Sequence, residues 1–210
     1  MYPTAKFWDR AAEKYAKSPI KDQVSYTYTL DRTRDYLQIE DSMLDLGCGT
    51  GSTALELSPL VHNIIATDIS GAMLEKAREK AAAQKIDNVE FAQADALHAP
   101  MGPFDVVTAF NVLHLVEDLD QTLAEIARRT KPGGLFISKT FCLPERIGWL
   151  TVMMRVVVPI MQAVGKAPYV ASMKARDLDA AITRAGFTIV ETGQGPTKDP
   201  RRYLVARKDA

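Results

Sequence analysis

Three glycines at alternate positions, Gly47, Gly49 and Gly51, follow the apolar run Met43-Leu44-Asp45-Leu46 and precede a helical stretch carrying Ala54, Leu55 and Leu57. Glycine lets a backbone turn tightly and approach a ligand closely. A strand, a glycine bend and a helix in that order therefore predict a nucleotide-cradling turn at the edge of a sheet. The spacing narrows the choice of nucleotide. A dinucleotide fingerprint counted from Gly47 requires glycine where the chain has Ser52. Asp45 also precedes the bend. Its carboxylate repels a pyrophosphate and suits a ligand that carries ammonium and sulfonium groups.

Downstream, apolar strands alternate with helical segments. Asn63 to Asp68, Val89 to Ala92, Phe104 to Phe110 and Leu135 to Ser138 read as strands, the third of these nearly all apolar and β-branched. Ser70 can cap a helix bearing Met73, Leu74, Ala77 and Ala81, and Asp120 can cap one bearing Leu123, Ile126 and Ala127. Arg128, Arg129 and Lys131 crowd the end of the latter, before Pro132-Gly133-Gly134 stops it. A helix from Asp177 to Ala185 and two strands, Thr188 to Glu191 and Tyr203 to Ala206, close the chain as an antiparallel pair. The pattern predicts one α/β domain over 1–210, a seven-stranded, mostly parallel sheet with helices on both faces and an antiparallel C-terminal strand. Short helices around 11–17 and 30–37 would form an N-terminal cap over 1–40. Ligands of such sheets bind past the carboxyl ends of the strands. Asp68 then stands where an acid reaches ribose hydroxyls, and Asp95 where one can accept from an adenine amino group.

The 26 basic residues balance the 26 acidic ones, which argues against a nucleic-acid footprint. Cys48 and Cys142 are too few for a disulfide framework and read as reduced thiols of a cytoplasmic protein, and no signal peptide opens the chain. No metal site is predicted.

The ordered set LDLGCGTG (44–51), ATDIS (66–70), AQADA (92–96), FDVVTAFNVLHLVED (104–118) and KPGG (131–134) resembles the class I S-adenosylmethionine-dependent methyltransferases, with their Rossmann-like sheet. The resemblance implies that Asp45 and the loop Gly47, Cys48 and Gly49 hold the methionine end of S-adenosylmethionine. Asp68 would bind its ribose, and Ile69 and Met73 would cover the adenine faces. Asp95 and the Ala96 backbone would read the adenine edge, and Asn111 would lie near the methionine carboxylate. The opening FWDRAAEKY (7–15) is similar to the cap of small-molecule members, in which Trp8 and Tyr15 would close over the cofactor.

Methyl transfer needs alignment and a dry pocket, and a base only where the acceptor must lose a proton. His114, a few residues past the fourth strand, is the candidate base; Cys142 reads as a buried thiol, and His62 and His98 carry no chemistry. Residues 142–175 form an apolar insertion. Within Ile147 to Gly165, Leu150, Met153, Val157, Ile160, Met161 and Val164 make a helical stripe. Arg155 and Pro159 argue against a membrane span. The stripe is expected to be a lid over a small apolar or aromatic acceptor, with a subunit interface (a homodimer), peripheral membrane contact or plain core as alternatives. The competing functions are a non-catalytic S-adenosylmethionine-binding or membrane-associated module and a nicotinamide-dependent oxidoreductase. The second is disfavoured by Ser52 and Asp45.

Overall fold

The computed structural model describes residues 3–144, 157–163, 167–194, 196–197 and 200–210. The alternation seen in the sequence becomes a single seven-stranded sheet. Its strands are β1 (Ser42–Leu46), β2 (Asn63–Asp68), β3 (Val89–Gln93), β4 (Phe104–Phe110), β5 (Thr130–Phe141), β6 (Phe187–Gln194) and β7 (Arg201–Lys208), in the order β3-β2-β1-β4-β5-β7-β6. β1 to β5 run parallel, and β7 is antiparallel to both β5 and β6. The order reverses between β1 and β4, which opens a crevice beyond their carboxyl ends.

Helices cover both faces because successive strand residues point to opposite sides. Leu44, Leu46, Val107, Ala109, Phe136 and Leu204 pack on Leu123 and Ile126 of α5 (Leu119–Arg129) and on Leu178 and Ile182 of α7 (Ala175–Arg184). On the other face Met43, Ile64, Ala66, Val106, Ile137 and Val205 meet α3 (Ser52–Leu57), α4 (Gly71–Gln84) and Leu30 of α2 (Gln23–Arg34). The N-terminal α1 (Pro3–Lys17) packs on α4, and α6 is the short helix Val158–Ala163.

α2 has almost no apolar stripe. Thr29 and Thr33 are buried with their hydroxyls bonded to the carbonyls of Ser25 and Thr29. Polar ties hold it to the far side of the sheet: Arg32 and Tyr36 both reach Glu191 on β6, and Lys139 Nζ on β5 donates to Ser25 O at 3.1 Å.

Several sequence expectations shift in detail. The first two helices are longer than 11–17 and earlier than 30–37. α5 is capped not by Asp120 but by Asp118, whose carboxylate accepts from Gln121 N at 2.8 Å. Asp120 instead pairs with Arg184 at 2.8 Å. Arg129 is no exposed dipole partner: it is buried, pairs with Glu125 and donates to the carbonyls of Leu97 and Ala99. Pro132-Gly133-Gly134 falls inside β5, which starts directly after the helix. Of the stripe predicted over 147–165, residues 147–156 and 164–165 lie outside the described residues; in α6, Ile160 and Met161 are exposed. Among the described residues no helix is long and apolar enough to cross a membrane.

Candidate active site

The glycine bend closes the carboxyl end of β1. Gly47, Gly49 and Gly51 all adopt positive φ (+69°, +55° and +73°), a region costly for residues with a Cβ. Their surroundings differ. A Cβ on Gly47 would meet Val112 Cγ2 at 2.7 Å, and one on Gly51 would meet Ala77 Cβ at 2.8 Å. Those two glycines let the loop pack against β4's extension and α4. At Gly49 a Cβ would meet nothing within 4 Å, so this is the open wall of the bend.

Two carboxylates stand beside it. Asp45 is 2% exposed, and its Oδ1 accepts from Thr108 Oγ1 at 2.7 Å; the register sets β4's Thr108 beside β1's Asp45. Burial pushes its carboxyl up to about 7; the Thr108 bond opposes the shift and the nearby Asp68 charge adds to it. Asp68, 9% exposed at the end of β2, accepts from Gly49 N at 2.8 Å and from Ser70 N at 2.9 Å. Burial raises its pKa despite those bonds. Among the described residues no lysine or arginine forms an ion pair with either acid. Lys80 on α4 donates to the Thr50 and Ser52 hydroxyls at 2.8 and 2.9 Å rather than to either acid. An open glycine wall between two uncompensated acids fits a cationic sulfur nucleoside and disfavours linked phosphates.

Other predicted residues fall around the same edge. Ile69 and Met73 flank Ser70, which caps α4 as expected by accepting from Met73 N at 3.2 Å; Met73 itself is buried. Asp95 follows β3, but its Oδ1 holds its own turn, accepting from Leu97 N at 3.0 Å and His98 N at 2.8 Å, with Ala96 half-buried between. His98, given no role in the sequence, contacts that same oxygen. Asn111, the residue just past β4, adopts the left-handed region (φ +60°). Trp8 is half-buried edge-on to Phe7. Tyr15 is 56% exposed, and among the described residues no ring contact or hydrogen bond joins its side chain to the bend.

His114 lies on the turn Leu113–Leu115 past β4, its ring 6.0 Å from that of Phe141, and its buried Nδ1 has no hydrogen-bond partner among the described residues. Burial, then the Arg201 charge, lowers its pKa to about 4. The imidazole is therefore neutral at physiological pH and a weak base. Burial pushes the Cys142 thiol up to about 11 and the Cys48 thiol well above the ordinary value, so both stay protonated at neutral pH. Among the described residues no group of three or more His, Cys, Asp or Glu is gathered for a metal.

Sequence reasoning missed Thr108, Asp9, Tyr26 and Lys80. Thr108 is legible in hindsight as the polar position inside an otherwise apolar strand. Asp9, which accepts from Ser70 Oγ at 2.6 Å, left no local signal. Tyr26 is half-buried on α2, where burial above all raises its pKa and the Asp45 charge adds a smaller push.

Comparison with known proteins adds independent findings. A family model described as a methyltransferase domain matches residues 38–179. The chain is 35% identical over 108 residues to an uncharacterized methyltransferase, YcgJ, of Bacillus subtilis, covering 50% of this chain and 43% of the relative. It is 42% identical over 98 residues to the demethylmenaquinone methyltransferase of Lactococcus lactis, covering 44% and 39%. These matches span less than half the length of either relative. Among solved structures, the DhpI–SAH complex superposes with a TM-score of 0.77 at 20% identity, over 99% of this chain and 96% of the other. At that identity the likeness concerns the fold.

Proposed function

The chain belongs to the class I S-adenosylmethionine-dependent methyltransferases, and from that premise we propose that it methylates a small apolar or aromatic acceptor. The observation that carries this reading is the pair of buried acids, Asp45 and Asp68, beside the open wall at Gly49, with no ion pair to neutralise them among the described residues. The quinone-type acceptor in the Lactococcus lactis relative's name supports an aromatic acceptor here.

S-adenosylmethionine, when bound, supplies a methyl carbon on a cationic sulfur. Everything else falls to this chain. Asp45, with the Gly47, Cys48 and Gly49 backbone and Asn111, holds the methionine end. Asp68 takes the ribose hydroxyls on the oxygen lone pairs left beside Gly49 N and Ser70 N. Ile69 and Met73 support the adenine, and Asp95 with Ala96 reads its edge. Trp8 and Tyr15, on α1, cover the entrance. His114, neutral at working pH, accepts a hydrogen bond from an acceptor hydroxyl or amine and orients it. With a pKa of about 4 it holds a full proton too weakly to act as a strong base. Positive charge disperses as the methyl group moves, so alignment and exclusion of water dominate. The apolar insertion over 142–175, of which 145–156 and 164–166 lie outside the described residues, is assigned to the acceptor side. A single domain over 1–210, cytoplasmic residence and a homodimer belong to the same proposal.

Calorimetry with S-adenosylhomocysteine and with NADH tests the cofactor. Saturable binding of the first and none of the second is expected; the reverse overturns the reading. Transfer of labelled methyl to a panel of demethylated quinols and water-soluble phenols then separates apolar from polar acceptors.

A further inference from the structure

We propose that Asp9 is a positioning residue for the cofactor, fastening α1 over the nucleoside end of the site through Ser70; this rests on the methyltransferase reading above. Asp9 Oδ1 accepts from Ser70 Oγ at 2.6 Å and from Ala72 N at 3.3 Å. It acts as a second, external cap of α4. Ser70 Oγ takes one orphan donor, Met73 N, and Asp9 takes another while setting a negative charge at the positive end of the helix dipole. The bonds continue inward. Ser70 N donates to Asp68 Oδ1, and Gly49 N donates to Asp68 Oδ2. One chain of hydrogen bonds therefore runs from α1 through Ser70 and Asp68 to the open wall of the glycine bend.

This bond matters because α1 buries few large side chains. Among the described residues its fully buried side chains are two alanines, Ala5 and Ala12, while Phe7 and Trp8 are only half-buried. Its ion pair to α4, Glu13 to Lys76 at 3.6 Å, joins a largely exposed acid to a partly exposed base and contributes little. A helix with so few apolar contacts opens easily, and a ligand can pass while it is open. The Asp9–Ser70 bond defines its closed position and fixes the Ser70 hydroxyl. Trp8, next to Asp9 in sequence, travels with it.

The test compares Asp9→Ala and Asp9→Asn in the otherwise unchanged chain for binding and kinetics, with a Trp149→Phe background used for the acrylamide quenching alone, where Trp8 is then the only tryptophan. Asparagine keeps an oxygen that can accept from both Ser70 Oγ and Ala72 N. Asp9→Ala should weaken S-adenosylhomocysteine binding about tenfold. It should also raise the KM for S-adenosylmethionine with kcat and the acceptor KM unchanged, and make Trp8 more accessible to acrylamide with the ligand present. Hydrogen exchange should speed up in α1 and not across the sheet. Asp9→Asn should restore affinity to within about threefold. Wild-type affinity in Asp9→Ala, or no recovery in Asp9→Asn, overturns the proposal. Failure of the parent protein itself to bind S-adenosylhomocysteine sinks the cofactor assignment and this proposal together, and so is told apart from failure of the latch alone.

Discussion

Replacing Asp45 by asparagine should stabilise the ligand-free protein at neutral to alkaline pH while weakening its grip on the cofactor. Asp45 is wholly buried, and its carboxyl is pushed up to about 7. An unfolded aspartate titrates near 3.9, so ionising the folded one at high pH costs about 4 kcal/mol. The direction follows from proton counts. Between the two values the folded chain keeps a proton that the unfolded chain has released, so stability falls as pH rises. From about pH 5 to about pH 8 this loss amounts to about 3 kcal/mol. Asparagine cannot ionise, yet it still offers Thr108 an acceptor oxygen in place of the 2.7 Å bond. Urea titrations of both proteins across that range should therefore diverge, the wild type losing stability relative to Asp45→Asn as pH rises. On the proposed reading, the same carboxylate, once charged, is the partner for the ammonium of the cofactor. Wild-type affinity for S-adenosylhomocysteine should climb as pH passes through about 7, while the variant stays weaker by about tenfold to hundredfold and flatter. Parallel stability profiles would refute the assignment of a strained, uncompensated acid.

Three other substitutions probe the rest of the site. Asp68→Ala should weaken cofactor binding about tenfold to hundredfold and, by orphaning Gly49 N and Ser70 N, lower stability by about 1–3 kcal/mol in denaturant titrations; unchanged affinity would remove the ribose assignment. Gly47→Ala and Gly49→Ala impose similar backbone strain, but only the first also meets Val112, so Gly47→Ala should cost more stability while Gly49→Ala loses mainly affinity; equal unfolding midpoints would contradict the open-wall reading. His114→Ala should slow turnover with cofactor affinity intact, and the wild-type rate should show no imidazole titration near 6.5, because the group already lies at about 4; a rate step at that pH would show the ring is exposed and basic.

The sheet was readable because each strand carries a local signature. Phe104 to Phe110 is a doubly buried run, and Ser70 is a cap with its helix directly behind it. The boundaries that moved did so for tertiary reasons. Thr130 to Gly134 extends β5 because β4 offers a partner to Thr130 at Phe104, which overrides the glycines. Arg129 turned inward because the carbonyls of Leu97 and Ala99 need a donor, a demand invisible from its own neighbours. The acids at 45 and 68 were legible from their place at the carboxyl ends of strands. The means of holding them were not: Thr108 enters through strand register, and Asp9 arrives from 61 residues away along the chain.

β4 serves both halves of the crevice. Thr108 props the carboxylate on β1, and just past the end of the same strand come Asn111, assigned above to the cofactor, and His114, assigned above to the acceptor. Val112, in that exit, is also the wall against which Gly47 fits. On the proposed reading, a change that reshapes the β4 exit for a new acceptor also disturbs the wall of the glycine bend, so acceptor choice and cofactor capture are tied through one strand.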